Sequence, residues 1–227
     1  MNYSKVSSKR LNIDIKNIKG MKYPDIYLIR TFFKLGLHKK PGRVLELGCG
    51  SGNNLSLFKS YGWDVFGVDY SDEQIKYANH NLECLDDDHI IQYDLSKGLP
   101  PSLSGKFDFI LCANVLYYIN RQSMIDVLGE LKKFITPKCV LFISGRTPDD
   151  WRFGKGDNVE HNGFIIDRHE TGEYGLLNIF YNPNEMKNLV SQYIGKLNNI
   201  VILNTTYENI ENGELINNHD FILYGTF

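Results

Sequence analysis

The feature that most constrains this chain is a run of alternating glycines, Gly48-Cys49-Gly50-Ser51-Gly52, set directly between an aliphatic segment and a helical one. Residues 43–47 (Arg-Val-Leu-Glu-Leu) read as a short buried strand, and residues 53–61 as a helix closed by Gly62. Glycine at every second position lets the backbone turn tightly and leaves open the space that side chains would fill. The helix that follows turns unpaired N–H groups toward that space, which suits a polar ligand. Strand, glycine turn and helix in this order begin an open α/β sheet.

The alternation continues along the chain. Residues 64–69 read as a second strand, and Ser71 followed by Asp72 and Glu73 caps a helix running to about Asn79. After an acidic loop at 86–88 comes a third strand at 89–93; residues 95–105, with Gly98, Pro100, Pro101 and Gly105, are irregular. The fourth and fifth strands, 107–112 and 139–143, are nearly continuous apolar runs, as a parallel sheet covered on both faces requires. A helix at 121–134 joins them, and another at 24–37 precedes the first strand, with Pro24 in its first turn and Gly36 at its end. Residues 1–23 (Leu11, Ile13, Ile15 and Ile18 among polar residues) read as an arm or flap. The expectation is one doubly wound α/β domain over residues 1–227.

Beyond the fifth strand the pattern changes. Residues 145–162 are polar, glycine-rich and long for a loop, which itself points to function. Two strand-like pieces, 163–168 and 176–181, flank a turn and predict a hairpin. Asn184 is placed to cap a helix, and strands at 199–203 and 220–224 end the chain across a polar connection at 209–219.

Composition narrows the functional classes. With 25 basic and 27 acidic side chains the formal charge is -2, which argues against a nucleic-acid binder that works through bulk positive charge. Cys49, Cys84, Cys112 and Cys139 lack any zinc-ligand spacing and read as free thiols, and no acidic and histidine cluster resembles a metal site. The polar start carries no apolar signal segment, and no apolar run is long enough to span a membrane, so the expected location is the cytoplasm.

The glycine spacing is informative beyond the turn. Dinucleotide folds use G-x-G-x-x-G, whereas Glu46-Leu-Gly-Cys-Gly-Ser-Gly52 follows E-x-G-x-G-x-G. With Val65-Phe-Gly-Val-Asp-Tyr-Ser71, Gln92-Tyr-Asp-Leu95 and residues 107–118, this segment resembles the class I S-adenosylmethionine-dependent methyltransferases. The resemblance implies a Rossmann-like seven-stranded sheet whose last strand, near 221–225, is antiparallel, with an inserted hairpin near 163–181. It also implies S-adenosyl-L-methionine as cofactor and S-adenosyl-L-homocysteine as product.

Site roles follow from the same resemblance. Gly48 and Gly50 would line the methionine part, with Cys49 between them completing the loop and Glu46 orienting that edge. Asp69 would take the ribose hydroxyls and Tyr70 would cover the adenine. Asp94 and the Leu95 N–H would meet the adenine edge, and Asn114 would lie beside the methionine amino group or the acceptor.

The acceptor side is read from the insertion at 145–181. Trp151, Arg152, Arg168 and Tyr181, with Tyr117 and Tyr118 after the fourth strand, suit a small carboxylate, phosphate or sugar acceptor held by arginine and stacked on an aromatic ring. If the acceptor is a hydroxyl, His161 and His169 are the candidate bases. Methylation of O or N on a small metabolite is the favoured reaction. The rivals are an inactive partner that only binds the cofactor, and a nicotinamide-dependent oxidoreductase, which the glycine spacing opposes.

Overall fold

A computed structural model describes residues 18–83, 89–211 and 213–227. Leu11, Ile13 and Ile15 of the arm, Cys84 and the acidic loop at 86–88 lie outside the described residues. Strands β1 (Arg43–Leu47), β2 (Asp64–Asp69), β3 (Ile90–Gln92), β4 (Phe107–Ala113) and β5 (Ile135–Arg146) pair in parallel, in the spatial order β3-β2-β1-β4-β5. Two long strands, β9 (Asn198–Glu211) and β10 (Glu214–Thr226), complete a seven-stranded sheet, with β10 antiparallel to both β5 and β9. This is the predicted Rossmann-like sheet with one antiparallel strand. A separate three-stranded sheet, β6 (Gly156–Glu160), β7 (Gly163–Ile166) and β8 (Leu177–Ile179), is the inserted element.

Strand alternation sorts the core into two layers. Leu45, Leu47, Ile110, Cys112, Leu141 and Ile143 face helices α4 (Arg121–Leu131) and α5 (Pro183–Tyr193). Val44, Val65, Phe109, Leu111 and Phe142 face α1 (Ile26–Lys34), α2 (Asn53–Ser60) and α3 (Asp72–Leu82). Phe58 of α2 is the hub of the second layer. Its ring lies 5.0 Å from Phe32 of α1, 4.9 Å from Phe109 of β4 and 5.2 Å from Trp63. Through it, α1 and α2 are held on the strands that carry the glycine turn.

Four local expectations are corrected. Residues 145–162 are not one loop: β5 runs on to Arg146, and β6 supplies a third strand to the insertion. Its exposed Asp157 and Asn158 hid it, since the strand has no buried alternate face. The cap of α5 is Asn182 rather than Asn184, because Pro183 takes the first helical position and pushes the cap one residue ahead of it. Asn182 Oδ1 accepts from Asn184 N at 3.0 Å. At α1 the order is reversed: Pro24 sits ahead of the cap, which is Asp25, because the Asp25 carboxylate accepts from Tyr27 N and Leu28 N. Finally, residues 209–219 are not a connection but the outer part of the β9–β10 hairpin, paired from Glu211 and Glu214 inward. An exposed two-stranded ribbon can be polar on both faces, so hydropathy did not mark it.

The hub yields a stability prediction. Phe58→Ala should cost about 3–5 kcal/mol, the range for emptying a buried aromatic position. Urea unfolding would measure it, and a loss below about 1 kcal/mol would show that α1 and α2 are held elsewhere.

Candidate functional site

Open α/β sheets place ligands beyond the carboxyl ends of the strands where the strand order reverses. Here that point lies between β1 and β4. At the end of β1 the chain enters the glycine turn. Gly48 (φ 69°), Gly50 (φ 50°) and Gly52 (φ 78°) all occupy the left-handed region. A Cβ on Gly48 would lie 2.4 Å from Cγ2 of Val115, so this turn approaches the chain leaving β4 too closely for any side chain. A Cβ on Gly50 would meet only Gln74 Oε1, at 3.8 Å, leaving open space over that residue.

Asp69, at the tip of β2, holds the turn in place. Its Oδ2 accepts from Gly50 N at 2.9 Å and its Oδ1 from Ser71 N at 3.0 Å. Gly48 N and Cys49 N both donate to the Val68 carbonyl, at 2.7 and 3.0 Å. Cys49 is buried, and a Cβ on Gly67 would lie 2.7 Å from its Sγ, so the thiol fills the gap between turn and β2.

Glu46 departs from the strand pattern. It shares the β1 face of Val44, among the apolar side chains under α1 and α2, and is 1% exposed. Oε1 accepts from Asn54 Nδ2 at 2.7 Å, while Oε2 is buried without a partner. Burial above all raises the carboxyl's pKa from 4.5 to about 8; the Asn54 bond opposes this, and the nearby Asp69 and Asp25 add to it.

Residues 19–25 lie along the glycine turn. Asn81 exchanges hydrogen bonds with Lys19 (2.9 and 2.8 Å) and also donates to Ser51 O. Ser51 Oγ donates to Met21 O, Asn53 Nδ2 to Tyr23 O, and Asp25 N to Asn54 Oδ1. Asn54 therefore joins the start of α1 to Glu46.

The glycine turn and the end of β2 border a cavity of about 480 Å³. Gly48, Asp69, Tyr70, Asp94, Leu95 and Asn114, expected at the cofactor, line it, as does Tyr118, whereas Glu46, Cys49 and Gly50, expected there too, lie outside the lining. Tyr70 is three-quarters exposed at its rim. Asp94 caps a 3-10 turn at Leu95–Lys97, and hydrogen bonds from the Ser96 hydroxyl and N–H hold its carboxyl below the usual range. Asn114 is left-handed (φ 54°); its N–H donates to Ser144 Oγ, whose hydroxyl donates back to Asn114 Oδ1, both at 3.1 Å.

The other expected acceptor residues lie outside the lining. Tyr117 and Tyr181 are buried in the core, and Arg121 sits 5.6 Å from the Tyr181 ring centre. Arg152 is engaged by Asp150 at 2.9 and 3.0 Å and by Asn218 at 3.0 Å. Trp151 carries Lys155 over its ring, and the exposed Arg168 pairs with Asp167 at 3.5 Å. His161 lies exposed in the turn between β6 and β7, and the His169 ring stacks on Tyr174 at 3.8 Å. The reason is common to most of them: a charged or aromatic side chain in an insertion finds partners within it before it reaches the cavity. Sequence reasoning missed Tyr93, Ser96, Val115, Ile119, Leu176 and Leu177, which line the cavity. Nothing in their apolar pattern separates them from core residues.

A family described as a methyltransferase domain matches residues 25–193. The probable S-adenosyl-L-methionine-dependent methyltransferase TehB of Haemophilus influenzae is 27% identical over 94 residues, 41% of this chain and 32% of that protein. The ubiquinone biosynthesis O-methyltransferase of Psychrobacter arcticus is 29% identical over 124 residues, 53% of this chain and 47% of that one. The chain thus spans about half or less of the length of these curated relatives. The crystal structure of TehB superposes with a TM-score of 0.59 at 16% identity, over 88% of this chain and 61% of that one, a likeness of fold.

The state of Glu46 predicts a pH effect. Its folded pKa (about 8) exceeds its unfolded one (4.5), so between those values the folded state binds the extra proton. The stability this protonation contributes is complete below pH 4.5 and is lost as pH rises through about 8. Glu46→Gln, which keeps the shape and stays neutral, should remove that decline. Urea unfolding from pH 5 to 9 checks it, and parallel curves for parent and variant would refute a protonated Glu46.

Proposed function

Because the chain belongs to the methyltransferase-domain family, of the class I S-adenosylmethionine-dependent type, we propose that it transfers a methyl group from S-adenosyl-L-methionine to O or N of a small molecule. The observation that carries this reading is the cradle at the carboxyl ends of β1 and β4. Its open face over Gly50, the carboxylate of Asp69 at its wall and the unpartnered Oε2 of Glu46 beneath it fit a ligand with ribose hydroxyls and an ammonium group.

The residues divide the work as follows. Gly48 and Gly50 hold the methionine part close to the main chain. Asp69 already accepts two backbone hydrogen bonds, but a carboxylate has about four acceptor positions, so two remain for the ribose hydroxyls. Asp94, held ionised, accepts from the adenine amino group, and Leu95 opens a helical turn whose first N–H groups lack partners within the turn. Tyr70 covers the adenine from the rim. Asn114, fixed by Ser144, stands where β4 meets the cradle and orients the methionine amino end.

When bound, the cofactor supplies a methyl group already activated on a sulfonium, so alignment and exclusion of water are what the protein must add. Leu176 and Leu177 of the insertion provide apolar cover over the cavity. Neither His161 nor His169 enters this scheme, since neither lines the cavity. The O-methyltransferase named for ubiquinone biosynthesis supports oxygen as one candidate atom.

Calorimetric titration with S-adenosylmethionine, S-adenosylhomocysteine and NAD tests the reading. Both sulfur ligands should bind at micromolar Kd and NAD should not. Asp69→Ala should weaken them by about tenfold or more, the effect of losing a charged hydrogen-bond partner. Binding of NAD alone, or parent-like affinity in a folded Asp69→Ala protein, would overturn it.

A further inference from the structure

Part of the cavity lining carries no cofactor role, and most of that part is apolar: Val115, Tyr118, Ile119, Leu176 and Leu177. Its charge environment is one-sided. Among the described residues, the carboxylates in the lining are Asp69 and Asp94, and no arginine or lysine lines the cavity.

The nearby cations are each spent elsewhere. Arg146 is buried, pairs with both oxygens of Glu173, donates to Asn178 and stacks 4.5 Å from the Tyr117 ring centre. Arg152 is held by Asp150 and Asn218, and Arg168 by Asp167 on the surface. Lys97 is exposed and pairs with Asp94 at 3.6 Å. Arg146 also lies 5.9 Å from the Tyr118 ring centre, but its charge is already met by Glu173, so an anionic acceptor would enter a mainly apolar space with no unpaired cation among the described lining, which is unfavourable.

One polar group interrupts this surface. The Tyr118 hydroxyl donates to Glu173 Oε1 at 3.0 Å. Burial pushes the Glu173 carboxyl up, but its bonds and charge contacts with Arg146, aided by Arg152, outweigh that and hold it ionised. The phenol proton is thereby committed to Glu173, and burial above all keeps Tyr118 a neutral phenol. The Tyr117 hydroxyl donates to the same oxygen, so what that oxygen has left to offer a ligand is one lone pair.

Resting on the methyl-transfer reading of this cavity, we propose that the acceptor is a neutral, mainly apolar molecule whose single O–H or N–H donates to Tyr118, and that Glu173 is the positioning residue that turns the Tyr118 oxygen toward it. This replaces the expectation of a carboxylate or phosphate acceptor held by arginine. It also gives Arg146 and Arg152 a role: they fix Glu173 rather than bind a ligand.

The test uses matched probes on the full chain saturated with S-adenosylhomocysteine. Methyl 4-hydroxybenzoate is a neutral phenol, 4-hydroxybenzoate is its anionic counterpart with a free carboxylate in place of the ester, and methyl 4-methoxybenzoate lacks the donor; aliphatic and bicyclic sets of the same design accompany them. In at least one set the neutral donor should bind about tenfold or more tighter than the anion and several-fold tighter than the ether. Tyr118→Phe should erase the difference between phenol and ether while leaving S-adenosylhomocysteine affinity unchanged. Glu173→Gln should shrink that difference, a change in selectivity that simple loss of packing would not produce. Leu176→Lys, at a half-exposed rim position, should shift preference toward the anion.

Equal or tighter binding of the anions in the parent overturns the proposal, and so does failure of every neutral donor to bind. Failure of S-adenosylhomocysteine itself to bind would instead refute the methyl-transfer reading.

Discussion

The clasp of Asp69 on the glycine turn is the interaction on which the site depends. One carboxylate takes the N–H of Gly50 from the turn after β1 and the N–H of Ser71 from the start of α3. The ends of two adjacent parallel strands are thereby locked at one height, and three glycines can keep left-handed backbone angles without the turn collapsing into the space it surrounds. The absence of a side chain on Gly48 then lets Val115 close from the β4 side. The cradle is an arrangement of main chain, set by what the glycines omit and by one acid that supplies what their N–H groups need.

Beneath it, Glu46 occupies a place that strand alternation assigns to an apolar side chain. Burying a carboxyl there is unfavourable when it is charged, and the resulting rise in pKa keeps it neutral over much of the physiological range. Its one partner, Asn54, also receives the N–H of Asp25. The start of α1, and with it residues 19–25 along the turn, is therefore coupled to the floor of the site through a single side-chain amide. A ligand group that met Glu46 Oε2 would act on the same connection.

How much was legible in the sequence follows from where the information is local. The glycine spacing, Asp69 after an aliphatic strand and Ser71 ahead of two acids each place themselves through their own neighbours, and the structure puts all of them where the pattern indicates. The succession of the first five strands was legible for the same reason, since apolar strands alternate with helices everywhere but between the third and fourth, where glycines and prolines mark the irregular link. Asn182 and the β9–β10 hairpin were not. The first depended on Pro183 outranking Asn184 as a helix start, and the second on two adjacent strands pairing in an exposed ribbon with no buried apolar face to announce it.

The arginines expected at the acceptor lie elsewhere for a different physical reason. Arginines in a polar insertion look available for a ligand, but availability is a property of the partners, and those are spread over the chain. Asp150 is a local partner of Arg152, but Glu173, Asn178 and Asn218 lie far along the chain, and only folding brings them to Arg146 and Arg152. Once these pairs form, the cations are neutralised within the protein wall, and the surface left facing the cavity is the apolar remainder, Leu176 and Leu177. A buried ion pair of this kind adds little net stability against an apolar replacement, because desolvation offsets much of the attraction. Its evident consequence here is directional: it fixes the carboxylate that takes the Tyr118 proton, and so determines which face of one hydroxyl the cavity presents.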